Sequence, residues 1–261
     1  MDRILYLDCS SGISGDMTLG ALLDLGIDEQ VFREELKKLD FGSYALDIKK
    51  VQRSAIDMMD VDVILDSEHR HDYDHGHVEA RPHDHVHRNL KMVMDIIDGS
   101  GITDNAKEIG RKIFAEIAKA EAKVHGKPID QVHFHEVGAI DSLVDIMGAA
   151  ICFDILGITE IYASPLHEGS GKIMCQHGIL PVPVPAVAAI LEGSGIPIIQ
   201  EDADTELITP TGAGIAKTMV KSFGKMPPMT IEKIGYGHGK RETGLFGAVR
   251  AIIGRPYREE K

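Results

Sequence analysis

A chain of 261 residues with 43% apolar and 26% charged side chains can bury one substantial core and has the balance of a globular domain, which excludes a fibrous or disordered polypeptide. Its 28 basic and 41 acidic residues leave a formal charge of -13, a field that repels nucleic acid and anionic membranes and draws cations. The three cysteines, Cys9, Cys152 and Cys175, have no CxxC spacing, so neither a disulfide framework nor a zinc knuckle is indicated, and a reducing compartment fits. Asp2, Arg3, Asp8 and Asp16 interrupt the first 25 positions and no later stretch is apolar enough to span a bilayer, so the expected location is cytoplasmic.

In chain order, the apolar run Ile4 to Leu7 predicts a strand, Ser10 to Gly15 a tight loop, and Leu19, Leu22 and Leu23 a helix stopped by Gly26. A second helix is predicted over 28–39 from Val31, Phe32, Leu36 and Leu39. Tyr44, Leu46 and Ile48, then Met59, Val61, Val63 and Leu65, alternate with polar residues as a strand pair. No apolar period runs through 67–88, which predicts a mobile loop. Helices resume near Asn89 to Ile97 and from Thr103 to Gly126, where Ile109, Ile113, Ile117, Ala120 and Val124 keep helical spacing.

Val132 and Phe134 alternate with His133 and His135, so a short strand is predicted there and a helix over 141–156. A strand near 158–163, a loop over 164–172, a helix after Pro185, a Thr-Pro-Thr-Gly loop (209–212) leading into another helix and a final strand over 245–253 complete the pattern. The expected fold is a single α/β domain with a layered mixed sheet containing some antiparallel strand pairs, and with the histidine-rich segment as an insertion.

Neutral imidazole binds nickel, copper and zinc well, and HisXHis pairs can share one ion. Three such pairs, His69/His71, His75/His77 and His83/His85, the last extended by His87, place seven of the chain's 13 histidines in one segment. A solvated insertion without a partner is the plain alternative, and a flexible segment suits ion capture better than catalysis. On ordered elements, His133, His135 and Asp141 form a candidate mixed nitrogen and oxygen metal site, with Asp145 one helical turn beyond Asp141 and Glu136 left as a base. The alternative there is an acidic cap, since Asp141 is a good N-cap residue.

Ser11, Gly12, Ser14 and Gly15 lie where freed backbone N–H groups at a helix start can cradle a phosphate. Thr209, Thr211, Gly212 and Gly214 repeat that pattern, and Lys172 offers an anionic substrate a point charge. Neither loop has P-loop spacing, and a plain strand-to-helix turn explains each of them as well. The lone His177 and His238 read as structural.

Five stretches together carry a family resemblance: LeuAspCysSerSerGlyIleSerGlyAspMet (7–17), the histidine-rich insertion, HisPheHisGluValGlyAlaIleAspSer (133–142), SerProLeuHisGluGlySerGly (164–171) and ThrProThrGlyAla (209–213). In this order they resemble the LarC family, the nickel-insertion proteins of lactate racemase maturation, over essentially the whole chain. The resemblance implies insertion of nickel into pyridinium-3,5-bisthiocarboxylic acid mononucleotide to give the nickel-pincer nucleotide, as part of a CTP-dependent cyclometallase. It further implies that this chain is the N-terminal product and that CTP with a divalent metal is bound by a C-terminal portion absent here. Forming the nickel–carbon bond takes a proton from the ring, and His133, His135 or Glu136 is the candidate base near the metal on chemical grounds. The partners expected are the mononucleotide, the separate C-terminal product, the lactate racemase apoenzyme and further copies of the chain, with no nucleic acid and no membrane. Two alternatives stand beside this one: a nickel store or carrier without catalysis, and a metal-dependent phosphohydrolase.

Overall fold

The computed structural model describes residues 3–65, 88–134, 137, 139–175 and 178–257, without the side chains of His133 and Thr159. His69, His71, His75, His77, His83, His85, His87, His135, Glu136 and His177 therefore lie outside the described residues. The elements are β1 (Arg3–Asp8), α1 (Gly15–Asp24), α2 (Glu29–Leu36), β2 (Tyr44–Arg53), β3 (Ile56–Leu65), β4 (Arg88–Asn89), α3 (Leu90–Gly99), α4 (Asp104–His125), β5 (His133–Phe134), α5 (Ile140–Leu156), β6 (Ile158–Ala163), β7 (Leu166–Glu168), β8 (Lys172–Cys175), β9 (Gly178–Pro181), α6 (Pro185–Leu191), β10 (Ile198–Gln200), α7 (Pro210–Met219), β11 (Ser222–Phe223), β12 (Met229–His238) and β13 (Ala248–Pro256).

Local chemistry sets the helix ends. Thr103 accepts from the Ala106 N–H at 3.1 Å to start α4, and Gly126 closes it in the left-handed conformation. Asn89 caps α3 in the same way, through the Met92 N–H at 2.9 Å. In α5 the residues from Leu143 to Phe153 are buried almost without interruption, except for Asp145. A helix apolar on every side belongs between layers. It packs on α1, which lies on the sheet, and on α2 and α4, while α3, α6 and α7 pack against α4.

The sheet has seven strands in the order β11-β6-β1-β13-β12-β3-β2. Strands β1, β6 and β11 are mutually parallel, β12 is parallel to β3, and β13 and β2 run antiparallel to their neighbours. The carboxyl ends of β1, β6, β12 and β3 consequently share one edge, which is where open α/β sheets place their ligands. The mixed sheet and its antiparallel pairs agree with the sequence expectation. Among the described residues no helix is long and apolar enough to cross a membrane.

Several boundaries differ from the sequence expectation. The second helix ends at Leu36, because Lys38 and Leu39 donate to the carbonyls of Glu35 and Leu36 in tighter turns. Val124 is 40% exposed rather than part of the inner stripe. Ala139 is the N-cap of α5, with Asp141 exposed in the first turn, so Asp141 is not a cap. The predicted loop over 164–172 contains β7 and the first residue of β8, and the last strand ends at Pro256.

The largest omission is β12, a central strand. Gly235 and Gly237, residues that ordinarily weaken a strand, both answer to packing here. A Cβ on Gly237 would sit 1.7 Å from the Met17 carbonyl oxygen, and one on Gly235 would sit 2.3 Å from that of Ala21. Helix α1 lies directly on this strand, and only glycine lets it approach so closely.

Candidate functional site

Three loops meet at the shared edge. Beyond β1, the Cys9 N–H donates to Ser164 Oγ at 2.8 Å, while the Ser164 N–H donates to the Leu7 carbonyl at 2.9 Å. Ile13 bridges to Ile208, with its N–H on the Leu207 carbonyl at 3.0 Å and its carbonyl accepting from Thr209 at 3.1 Å. Glu168, only 1% exposed, accepts through Oε1 from the N–H groups of Gly169, Leu207 and Ile208 at 2.9, 2.8 and 3.2 Å. The stretches 7–17, 164–171 and 209–213, far apart in the chain, form one hydrogen-bonded junction.

Two helix N-termini join there. Ser14 caps α1, accepting from the Met17 N–H at 3.3 Å and bonding Asp16 through its hydroxyl. Thr209 caps α7 through the Gly212 N–H at 3.2 Å, and Thr211 Oγ1 accepts from the Gly15 N–H at 3.1 Å. The glycines make this contact sterically feasible. Gly12, at φ +90°, has the Leu207 carbonyl oxygen 2.1 Å from where its Cβ would stand, and Gly212 has the Ile13 carbonyl oxygen at 2.2 Å. Ser11 is buried in the same loop.

Asp145 projects from α5 into this corner, with its Oδ2 2.9 Å from where a Gly15 Cβ would lie. Burial pushes its carboxyl well above the usual range; the charges of Asp16 and Asp141 add to the rise, against Lys240 and the Asp16 N–H. Lys240 reaches Asp62 at 2.7 Å, Asp16 at 3.6 Å and the Val61 carbonyl at 3.0 Å. Burial alone would lower the lysine, but the surrounding carboxylates outweigh it and hold the ammonium above its ordinary value. Asp16, Asp60, Asp62 and Asp145 thus lie around one lysine, with Asp141 acting on Asp145, a corner whose field draws cations.

Beside it, His238 Nδ1 lies 3.2 Å from Asp60 Oδ1, across β12 and β3. Arg250 pairs with Asp8 at 2.6 Å, and Arg241 holds the buried Glu206 at 2.9 Å. Burial would raise the Asp8 carboxyl, but hydrogen bonds from Ser10 and Arg250 prevail and hold it below the ordinary range.

The profile of the nickel insertion proteins matches residues 5–261. This chain belongs to that family. It is 55% identical over 259 residues to a protein of Acetivibrio thermocellus named pyridinium-3,5-bisthiocarboxylic acid mononucleotide nickel insertion protein, covering 99% of this chain and 62% of that protein. Proteins of the same name from Alkaliphilus metalliredigens and Lactiplantibacillus plantarum are 48% and 49% identical over 97% and 96% of this chain. The chain spans 61% of the length of each of those two. No solved structure matches it.

Of the candidate site residues picked out in the sequence, Ser11, Gly12, Ser14, Gly15, Thr211 and Gly212 come together at the junction. Lys172 opens the β8–β9 hairpin, exposed, opposite Pro181. His133 lies in β5, which pairs with β4 through Asn89. Among the described residues no group of three or more His, Cys, Asp or Glu stands ready to hold a metal ion. Sequence reasoning missed the partnerships of Glu168, Lys240 and His238; the alternation of Asp60 and Asp62 on β3 was the available signal for a polar face.

A raised carboxyl has a measurable consequence. Its stabilising contribution is complete below the unfolded-state pKa and is lost as the pH rises through the folded value. Asp145→Asn is therefore expected to melt at a higher temperature than the wild type at neutral pH, the gap closing as the pH falls through about 4. Equal melting temperatures at neutral pH would contradict the assigned environment.

Proposed function

We propose that this chain is the nickel-receiving part of a system that inserts nickel into pyridinium-3,5-bisthiocarboxylic acid mononucleotide to form the nickel-pincer nucleotide of lactate racemase. The histidines of 69–87 gather the ion, and His133, His135 and Asp141 take it onward. The junction of the two helix starts, with Ser11, Gly12, Ser14, Gly15, Thr211 and Gly212, receives the mononucleotide, and Lys172 adds a positive charge. CTP, with its own divalent metal, acts through the part of the relatives' length that this chain does not span.

One observation carries this reading. The histidine-rich stretch leaves from β3 just beyond Asp60 and Asp62, and returns at β4, which is hydrogen-bonded to the strand bearing His133. The stretch that gathers the ion is thereby joined at one end to β3 and at the other to β4. Nickel is the substrate here: two sulfur bonds and one carbon bond form to it, and the ring carbon gives up a proton.

Titration of the purified chain with nickel, followed by calorimetry, tests the proposal. Several equivalents are expected to bind at pH 7.5, with affinity falling below about pH 6.5 as imidazoles protonate. Deleting 68–88 is expected to leave one tight equivalent that His133→Ala with His135→Ala removes. No nickel binding by the intact chain would refute the reading. Loss of all binding on deletion alone would favour a pure carrier.

A further inference from the structure

Forming the nickel–carbon bond requires an acceptor for the ring proton, and an imidazole nitrogen already donating its lone pair to nickel cannot also take one. If His133 and His135 hold the ion, the acceptor comes from elsewhere. The sheet supplies a place to look. Gly235 and Gly237 face α1, so by the alternation of strand side chains Tyr236 and His238 face the other way.

On that second face, register sets a polar row across four neighbouring strands. Asp8 of β1 stands opposite Arg250 of β13, Arg250 opposite Tyr236 of β12, and His238 follows on β12 beside Asp60 of β3. The row is internally bonded: Arg250 to Asp8, and His238 to Asp60. It is also open to solvent, with side chains of Arg250 and His238 exposed by 42% and 21%, while the Asp60 side chain is only 8% exposed. Central strands usually spend such positions on apolar packing, and Ile252 and Tyr6 do so farther from the edge.

We infer that His238, oriented by Asp60, is the base that removes the ring proton of the pyridinium substrate as nickel bonds to that carbon. This rests on the function proposed above. With the Nδ1 proton directed at Asp60, Nε2 carries the free lone pair, and the buried carboxylate stabilises the imidazolium that forms. The C–H bond breaks, its electron pair becomes the nickel–carbon bond, and the proton ends on Nε2. Lys240, beside Asp60 and bonded to Asp62 at 2.7 Å, reaches Asp16 at the start of α1 at 3.6 Å, so the His238 and Asp60 pair at the end of β12 borders the proposed substrate site.

The test uses this chain with its CTP-dependent complement, the bisthiocarboxylate mononucleotide carrying hydrogen or deuterium on the reacting ring carbon, and nickel. Product is followed by absorbance. His238→Gln is expected to slow insertion by about 10²-fold to 10⁴-fold and to enlarge the deuterium isotope effect, with nickel affinity kept within about twofold. Asp60→Asn is expected to slow it less, about 10-fold, in the same direction. Circular dichroism establishes that each variant is folded, and the isotope effect moves only if proton removal itself is impaired. Insertion by folded His238→Gln at the wild-type rate would overturn the inference and leave the proposed function standing. A loss that falls instead on Glu136→Gln would also overturn it. A wild type that binds nickel but never forms product under these conditions would sink both.

Discussion

Gly237→Ala is expected to lose about 3 kcal/mol or more of stability, the upper end for inserting one methyl group into a packed interior. The new Cβ would stand 1.7 Å from the Met17 carbonyl oxygen and 2.6 Å from the Ala21 nitrogen. Both are backbone atoms of α1 and cannot rotate aside, so the helix must lift from the central strand. Folded domains are held by roughly 5–15 kcal/mol in total, and a loss of this size lowers the melting temperature by about 6–12 °C. Gly99→Ala is the control. Nothing lies within 4 Å of its would-be Cβ, and alanine there is expected to change stability by less than about 1 kcal/mol. Equal melting of Gly237→Ala and wild type would mean that α1 does not rest on β12.

Glu168→Ala is expected to be at least as damaging, for an electrostatic reason. One carboxylate oxygen satisfies three backbone N–H groups where the 164–171 and 203–212 segments meet. Removing it strands those donors in a site 1% exposed, at about 1–3 kcal/mol for each unsatisfied group, so a loss of roughly 4 kcal/mol is the expected sum after relaxation. Glu168→Gln keeps an acceptor and should recover most of it. Burial raises the Glu168 carboxyl above its ordinary value despite those three hydrogen bonds, and Oε2 has no hydrogen-bond partner among the described residues. Its stabilising contribution is thus complete at acid pH and lost as the pH climbs through the folded value. The glutamine variant should gain on the wild type from acid to neutral pH. Thermal unfolding of the three proteins at pH 4 and pH 8 reads both effects, and an alanine variant as stable as the glutamine one would contradict the three-donor role.

Much of the architecture was legible from residue patterns. The isoleucine stripe of α4, its threonine cap and its terminal glycine are local signals, and local hydrogen bonds form the ends they predict. The alternation over 44–65 gave the β2–β3 hairpin for the same reason. Strand β12 escaped because its glycines answer to a helix packed across it, a contact between residues more than two hundred positions apart. The site divides in the same way. The Asp141 and Asp145 spacing was visible, whereas Asp145 meets Gly15 only when α5 packs on α1, and His238 meets Asp60 only when β12 lies beside β3.

Composition, periodicity and motif order by themselves determined an acidic α/β chain with a histidine-rich insertion and the likeness to nickel insertion proteins, because each of these is written in neighbouring residues. Tertiary structure alone decided which motifs share a corner, which glycines admit a helix and which lone histidine acquires a carboxylate. Those outcomes depend on strand order and register, and a contact spanning 178 residues, such as that of His238 with Asp60, has no local signature.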